Sequence, residues 1–229
     1  MSLIPLFPLN LVLLPGALLP LHIFEERYQD MVGKCLAEET EFGVTWEQEL
    51  EAETEAENEE GEPQPTGKGW SRIGCSARIL RVLNRYPDGR MDILTRGERR
   101  FSIQAVDLET HEYAQADVGF FDDDPVTAED VERDERELLL EMHRRVLALQ
   151  GQSMEDPDPE IDLGFALSQN LEQHWGLKQQ LLGLRSAAAR VRYLTAYYER
   201  LLPLLEDAQQ VRRKVAGNGH LRGRDKRAG

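Results

Sequence analysis

The stretch that decides the fold is SLIPLFPLNLVLLPGALLPLHIFE, residues 2–25. Its apolar runs are short and are interrupted by prolines, which suit edge strands and the first residues of strands better than a helix. We therefore predict one strand around Ile4–Phe7 and a second around Leu18–Ile23. The apolar run 11–23 is too short to span a bilayer and no basic segment precedes it, so we expect a soluble, cytoplasmic protein without a signal peptide.

Downstream of this stretch the pattern alternates between helix and strand. A helix is predicted over Glu25–Glu38, because apolar residues recur there at intervals of three and four. Asp88-Gly89 lies between two strand-like runs, which is a strong signal for a β-hairpin. Four further strands are predicted at 42–46, 76–85, 90–106 and 113–121. Six strands joined by tight turns indicate a small barrel or a curled sheet.

The second half of the chain is predicted to be a helical bundle. A capping box at Thr127–Asp130 begins its first helix, and Gly151 ends it. The apolar face of that helix is assigned to Leu138, Met142, Val146 and Leu149, which places His143 on the charged surface. The remaining helices are predicted near 163–171, through 181–182, and from 187 to at least 205 with a kink at Pro203.

Charge is distributed unevenly along this acidic chain, whose formal net charge is -15. Residues 47–69 are rich in Glu, Pro and Gly and predict a flexible acidic loop, with a lure for basic partners as the alternative. Residues 212–229 are basic and Gly-rich and predict a disordered tail, with a nucleic-acid contact as the alternative. The predicted organisation is thus a β domain at 1–124, a bundle at 125–211 and the tail.

Motifs for catalysis or metal binding do not emerge from the sequence. The loop 61–69 has the wrong glycine spacing for a phosphate-binding loop and lacks its hydroxyl residue. The acids from Asp156 to Asp162 lack the glycine and the glutamate of an EF-hand loop, so they are interpreted as acids at a helix N-terminus. The histidines show no metal-ligand spacing, and Cys35 and Cys75 indicate buried free thiols. We therefore predict no metal, no cofactor and no enzyme activity.

Several segments, taken in order, resemble the Lon substrate-binding domain. They are Ile4 to Leu9, Val12 to Gly16, Leu19 to Glu25 with Arg27 to Met31 behind it, Ile73 to Ile79, and Asp88 to Phe101. The resemblance spans roughly residues 2 to 207, with Glu26 where proline is common and Cys75 where threonine is usual. It implies an α+β fold, a PUA-like β pseudo-barrel followed by a C-terminal helical bundle. Since only residues 212–229 follow the predicted bundle, we expect neither the ATPase module nor the peptidase module of the full protease.

The resemblance also implies a function. We expect a non-enzymatic module that recognises unfolded or extended polypeptide segments, with a separate protease or chaperone as a further partner. The predicted binding residues are Phe24, Arg27, Tyr28, Met31 and Trp46, although core packing is the competing interpretation for most of them. A PUA-like small-molecule or RNA-binding protein is the alternative, and it requires Arg72, Arg78, Arg81 and Arg85 to converge on one face. An uncharacterised hydrolase would need a concave pocket with perturbed titratable groups. No nucleic acid or membrane is expected, and the oligomeric state stays open.

Overall fold

The computed structural model describes residues 2–49, 68–124, 131–153, 155–169, 171 and 174–219. Strands fill the first half and helices the second, as the sequence predicts. The strands are β1 Ser2–Leu9, β2 Leu18–Ile23, β3 Phe42–Glu49, β4 Lys68–Trp70, β5 Ile73–Arg85, β6 Met91–Asp107 and β7 Gln115–Phe120. The helices are α1 Glu26–Glu38, α2 Arg133–Leu149, α3 Leu163–Ser168, α4 Trp175–Gly183 and α5 Ala187–Gly219.

Five of the strands form a closed ring. Their order is β1-β7-β6-β5-β3, and a parallel pairing of β1 with β3, from Leu6 opposite Gly43 to Leu9 opposite Trp46, closes it. Strand β2 pairs with the first part of β6, and β4 pairs with the end of β3, so both lie off the ring. The predicted pseudo-barrel followed by a helical bundle is therefore confirmed, although the ring is not an even barrel.

The hairpin between β5 and β6 extends one side of the ring. Its turn includes Gly89, which has φ of 91°, a conformation that glycine adopts without steric cost. Three register shifts interrupt the β5–β6 ladder, and they fall at Ser76, Leu80 and Leu83. At Leu80 and Leu83 the extra residue lies in β5, whereas at Ser76 two residues of β6, Glu98 and Arg99, lie opposite one residue of β5. Each shift is a β-bulge, which increases the local twist.

One apolar core extends from the ring into the helices. Helix α1 buries Tyr28, Met31, Val32 and Cys35 against the same cluster that contains Phe42 of β3. Helix α2 packs against α5 within the bundle. Because one cluster of buried side chains joins the strands to the helices, the two halves of the chain share their stability.

The buried face of α2 differs from the prediction. Leu139, His143, Val146 and Leu147 face the core, whereas Leu138 is 45% exposed. The prediction that His143 lies on the surface is wrong: it is fully buried, and its Nδ1 lies 2.6 Å from the hydroxyl oxygen of Tyr198. This polar partner makes an imidazole acceptable on the apolar face.

Three segment boundaries also differ from the prediction. Residues 47–49 and 68–70 form a short antiparallel pair, so the acidic insertion between the strands narrows to 50–67. Helix α5 contains Pro203 and continues to Gly219, so residues 212–219 are helical where a disordered tail is predicted. The rest of the acidic loop, the capping box at Thr127–Asp130 and residues 220–229 lie outside the described residues.

Candidate polypeptide-binding surface

Phe24 occupies the turn between β2 and α1, and its side chain is 62% exposed. Its ring stacks on the ring of His22 at a centroid distance of 6.2 Å. The side chain of Gln29 donates to the backbone carbonyl of Phe24 at 2.9 Å, and the same side chain abuts Gly89 at the hairpin turn. These contacts fix the backbone while they leave the aromatic ring facing solvent.

Arg27 and Tyr28 form a layered arrangement on α1. The guanidinium carbon of Arg27 lies 4.6 Å from the centroid of the Tyr28 ring, and Glu25 accepts its hydrogen bond at 2.9 Å. The Tyr28 ring in turn lies 4.2 Å from the centroid of Phe7. Burial is the main cause that raises the pKa of Tyr28, so its hydroxyl stays neutral at physiological pH.

Met31 and Trp46 are both less exposed than Phe24 and Arg27. Met31 is fully buried in the core, and Trp46 is half-buried on β3 opposite Leu9. The indole Nε1 of Trp46 is buried and has no acceptor among the described residues. Phe24 and Arg27 are thus exposed, Tyr28 and Met31 support the surface from below, and Trp46 borders the same core. Their role in binding stays a prediction.

A second exposed surface, missed by the sequence analysis, is the outward side of the three-stranded sheet β2–β6–β5. Side chains alternate strictly along β2 and the first part of β6, where Ile23, Ile93 and Thr95 face the core and their neighbours face outward. We call this the outer sheet face. It comprises Leu18, Pro20 and His22 of β2, Asp92, Leu94 and Arg96 of β6, and Arg78, Leu80, Arg81, Leu83 and Asn84 of β5.

Two buried arginines and two half-buried aspartates join the ring to the bundle, and we call this set the junction cluster. It comprises Arg100 of β6, Asp123 after β7, Asp162 before α3 and Arg190 of α5. Arg190 donates to Asp123 at 2.8 and 2.5 Å and to Asp162 at 3.0 and 2.9 Å. Arg100 donates to Asp123 at 2.6 Å and to the backbone carbonyl of Leu184 at 2.6 Å.

The junction cluster favours the charged forms of Asp123 and Arg190. Burial alone would raise the pKa of Asp123, but hydrogen bonds and charges from Arg190 and Arg100 outweigh burial and lower it. Burial would likewise lower the pKa of Arg190, yet its hydrogen bonds to Asp123 and Asp162 raise it. Asp162 also accepts from the backbone N–H of Phe165 at 3.1 Å, which caps α3 as the acids before that helix predict.

A cleft of about 760 Å³ opens beside the junction cluster. Leu18, Phe121 and Ile161 supply apolar lining, and Arg96 and Glu160 are among its charged residues. The described residues contain no group of three or more His, Cys, Asp or Glu side chains able to hold a metal ion. Among the described helices none has the length and apolar character needed to cross a membrane.

The arginines that the RNA-binding alternative requires do not all share one face. Arg78 and Arg81 belong to the outer sheet face, whereas Arg85 pairs with the buried Met91 and Arg72 precedes β5. Arg78 also forms ion pairs with Glu41 at 3.0 Å and with Glu98 at 3.5 Å. Acidic partners therefore offset part of this basic surface.

Known proteins resemble this chain over most of its length. It is 26% identical over 226 residues to a Lon protease of Cytophaga hutchinsonii, of which it spans 26%. A Lon N-terminal domain protein from Xanthomonas campestris aligns with a TM-score of 0.60 and 24% identity, over 86% of this chain and 99% of that one. The N-terminal domain of a Mycobacterium avium complex Lon protease aligns with a TM-score of 0.56 and 18% identity, over 86% of this chain and 98% of that one.

A family match accompanies these likenesses. Residues 3–200 match the family model described as the ATP-dependent protease La (LON) substrate-binding domain. The matched range includes the strand ring except Ser2, the junction cluster and all five predicted binding residues. The chain belongs to the family of Lon substrate-binding domains.

Proposed function

We propose that this protein recognises unfolded or extended polypeptide segments and has no catalytic activity of its own. The observation that carries the proposal is the exposed ring of Phe24, held at a fixed position on a surface backed by buried aromatic side chains. Exposed aromatic anchors on a rigid base are typical of residues that dominate binding energy. A separate protease or chaperone would act on the polypeptides that the surface captures.

Arg27 and Tyr28 give this surface a second element. The Tyr28 ring is packed against Phe7, so little side-chain freedom is left to lose when a ligand contacts it. Arg27 covers the ring and exchanges its bond with Glu25 for a ligand carboxylate or carbonyl at small cost, since both partners are exposed. We assign Met31 and Trp46 to supporting this arrangement from below.

The charges beside the cleft support the non-enzymatic part of the proposal. A general acid or base works best when its pKa lies near the operating pH. In the junction cluster both pKa values shift away from neutral pH, since the pKa of Asp123 is lowered and that of Arg190 is raised. Both groups therefore hold their charges near neutral pH. The buried free thiols of Cys35 and Cys75 fit our expectation of a reducing, cytoplasmic setting.

The test is binding of the purified chain to a labelled, permanently unfolded polypeptide, followed by fluorescence anisotropy at low and high salt. The folded form of the same polypeptide is the control ligand. We expect binding to the unfolded form alone, and we expect Phe24→Ala to weaken it roughly tenfold, which corresponds to the loss of one anchor. Tyr28→Phe should leave binding unchanged, because the ring and not the hydroxyl forms the surface.

The matched control is Leu108→Ala. Leu108 is 66% exposed and follows the last residue of β6, whereas Phe24 adjoins the strand that pairs with the first residue of β6. Loss of an equally exposed apolar side chain at the opposite end of the strand should not affect binding. Absence of binding to either polypeptide, or equal effects of the two alanine variants, would refute the proposal.

A further inference from the structure

The outer sheet face exposes more apolar surface than a solvated sheet requires. Leu18, Leu80 and Leu83 are 60%, 42% and 50% exposed, and Pro20 between them is also exposed. Contiguous apolar patches of this kind, rimmed by polar side chains, mark interaction sites on folded proteins. Phe24 borders the patch through its stacking on His22, so the face is continuous with the surface proposed above.

The bulges in β5 produce this composition. A regular strand would present only every second side chain outward. Register shifts lie between Ile79 and Arg81 and between Val82 and Asn84, so the inserted residues are Leu80 and Leu83. Each bulge therefore adds a leucine beside a polar residue on the outward side, while Ile79 and Val82 keep their inward positions.

Charge on the face is also organised. The segment Ile73–Arg85 contains three arginines and no acidic residue, in a chain whose net charge is -15. Arg78 and Arg96 share Glu98 as a partner, at 3.5 and 2.9 Å. Among the described residues, Arg81 and Arg85 have no acidic partner, although both are exposed. Leucines thus lie near two positive charges that no acidic residue of the described part of the chain pairs.

We infer that the outer sheet face binds extended polypeptide segments in which apolar side chains are interspersed with Asp or Glu. The leucines would bury the apolar side chains, and Arg81 of the face would pair with the carboxylates. The exposed Arg85, at the hairpin end of β5 and outside the face, would add positive charge beside it. This inference rests on the proposed function and adds a ligand preference to it. A polypeptide fits better than RNA, because the exposed leucines would bury apolar side chains, which a phosphate backbone does not supply.

The side chains at one end of the face are already fixed for this task. Asp92 accepts a hydrogen bond from the Tyr86 hydroxyl at 2.9 Å, and its other oxygen lies 2.6 Å from Nδ1 of His22. Tyr86 also lies under the guanidinium of Arg90, which is 5.1 Å from the ring centroid. A ligand at this end would meet a preorganised surface, so binding would cost little side-chain entropy on the protein's part.

The experiment compares two labelled unfolded peptides that differ only in Glu-to-Gln replacements between their Leu and Phe residues. The full chain should bind the acidic peptide about tenfold more tightly at low salt, and the difference should shrink in 1 M salt, where exposed charges are screened. Arg81→Gln with Arg85→Gln should abolish the preference and leave binding of the neutral peptide unchanged. The double variant Leu80→Ser with Leu83→Ser should bind both peptides about tenfold more weakly.

Matched controls come from α2, whose exposed surface lies in the bundle. Arg136→Gln with Arg144→Gln, and separately Leu138→Ser, remove equally exposed side chains and should change neither affinity. Thermal unfolding of every variant checks that the fold is intact, and it should be, because all substituted side chains are exposed.

The outcomes separate the two proposals. If Phe24→Ala weakens binding and the β5 variants do not, the inference fails while the proposed function stands. If no unfolded polypeptide binds at all, both fail. Tighter binding of an RNA oligonucleotide than of the acidic peptide would overturn the inference, as would a sedimentation result in which the β5 leucine variants convert a dimer of this chain to a monomer.

Discussion

The guanidinium of Arg190 in α5 donates hydrogen bonds to both carboxylate oxygens of Asp123, at 2.8 and 2.5 Å, in the geometry of a bidentate ion pair. Asp123 follows the last strand of the ring, and Arg190 lies in the first turn of the last helix. The side chain of Arg190 is 3% exposed, so water screens the pair poorly. This contact, which is buried on the side of Arg190, therefore fixes the position of the helical bundle relative to the strand ring.

Replacing Arg190 should destabilise the protein strongly. Arg190→Met keeps apolar volume but leaves Asp123 and Asp162 without their main partner, and removal of one member of a buried ion pair costs about 3–5 kcal/mol. The two aspartates are partly exposed, so we expect about 3 kcal/mol, measured by urea denaturation. Arg192→Met removes an exposed pair with Glu135 and should cost less than about 1 kcal/mol. Equal losses would show that the junction cluster has no special weight.

Asp123 should make the protein sensitive to acid. Its pKa in the folded protein is below the ordinary value of 3.8, so its contribution is fully present above that value and is lost as the pH falls through the lower, folded pKa. The free energy of unfolding should therefore decrease below about pH 4. In the Asp123→Asn variant the free energy of unfolding should decrease less steeply over the same pH range. The measurement is denaturation at several pH values between 3 and 7, and parallel curves would contradict the assignment.

His143 should add a second pH dependence at higher pH. Burial lowers the pKa of His143 from 6.5 to about 4. Between these pH values the imidazole is therefore protonated in the unfolded chain and neutral in the folded protein. Stability then falls as the pH decreases from 6.5 towards 4, at up to about 1.4 kcal/mol per pH unit. His143→Gln keeps a hydrogen-bonding group near Tyr198 and should flatten this part of the curve. An unchanged slope would mean that other groups cause it.

Gly97 should not tolerate a side chain. A Cβ atom at Gly97 would overlap the backbone carbonyl oxygen of Leu14, and the backbone of Gly97 also bonds to Gly16 and Ala17. We expect Gly97→Ala to lose at least about 2 kcal/mol, because the methyl group would overpack a backbone that hydrogen bonds hold in place. Gly33→Ala is the control: its Cβ would meet no atom within 4 Å, and alanine in a helix should stabilise by about 0.5–1 kcal/mol. Similar melting temperatures for the two variants would refute this.

Local patterns in the sequence predicted the elements well. The Asp88-Gly89 turn and the period of α1 need only neighbouring residues, and both appear where the sequence places them. The face of α2 could not be read in the same way. Apolar residues surround much of that helix, so two faces fit the period. The hydroxyl of Tyr198, 55 residues away, decides that His143 faces inward.

Contacts between distant residues set the limit for the sites. Arg190 lies 67 residues from Asp123 and 28 from Asp162, and no periodicity links such residues. The outer sheet face did leave a signal, since the apolar pairs Ile79-Leu80 and Val82-Leu83 break the alternation of a regular strand. Bulges explain that break, but only the strand register shows which residue of each pair faces solvent.

The same bulges have a consequence for solubility. From Arg78 to Arg85, β5 pairs with β6 alone among the described strands, so one edge of a leucine-rich strand is open. Such an edge can act as a template for other chains and start aggregation. Bulges distort the backbone spacing that a straight incoming strand needs, and the arginines repel their counterparts on another copy. The protein can therefore offer leucines to foreign chains while its own edge resists self-assembly into sheets.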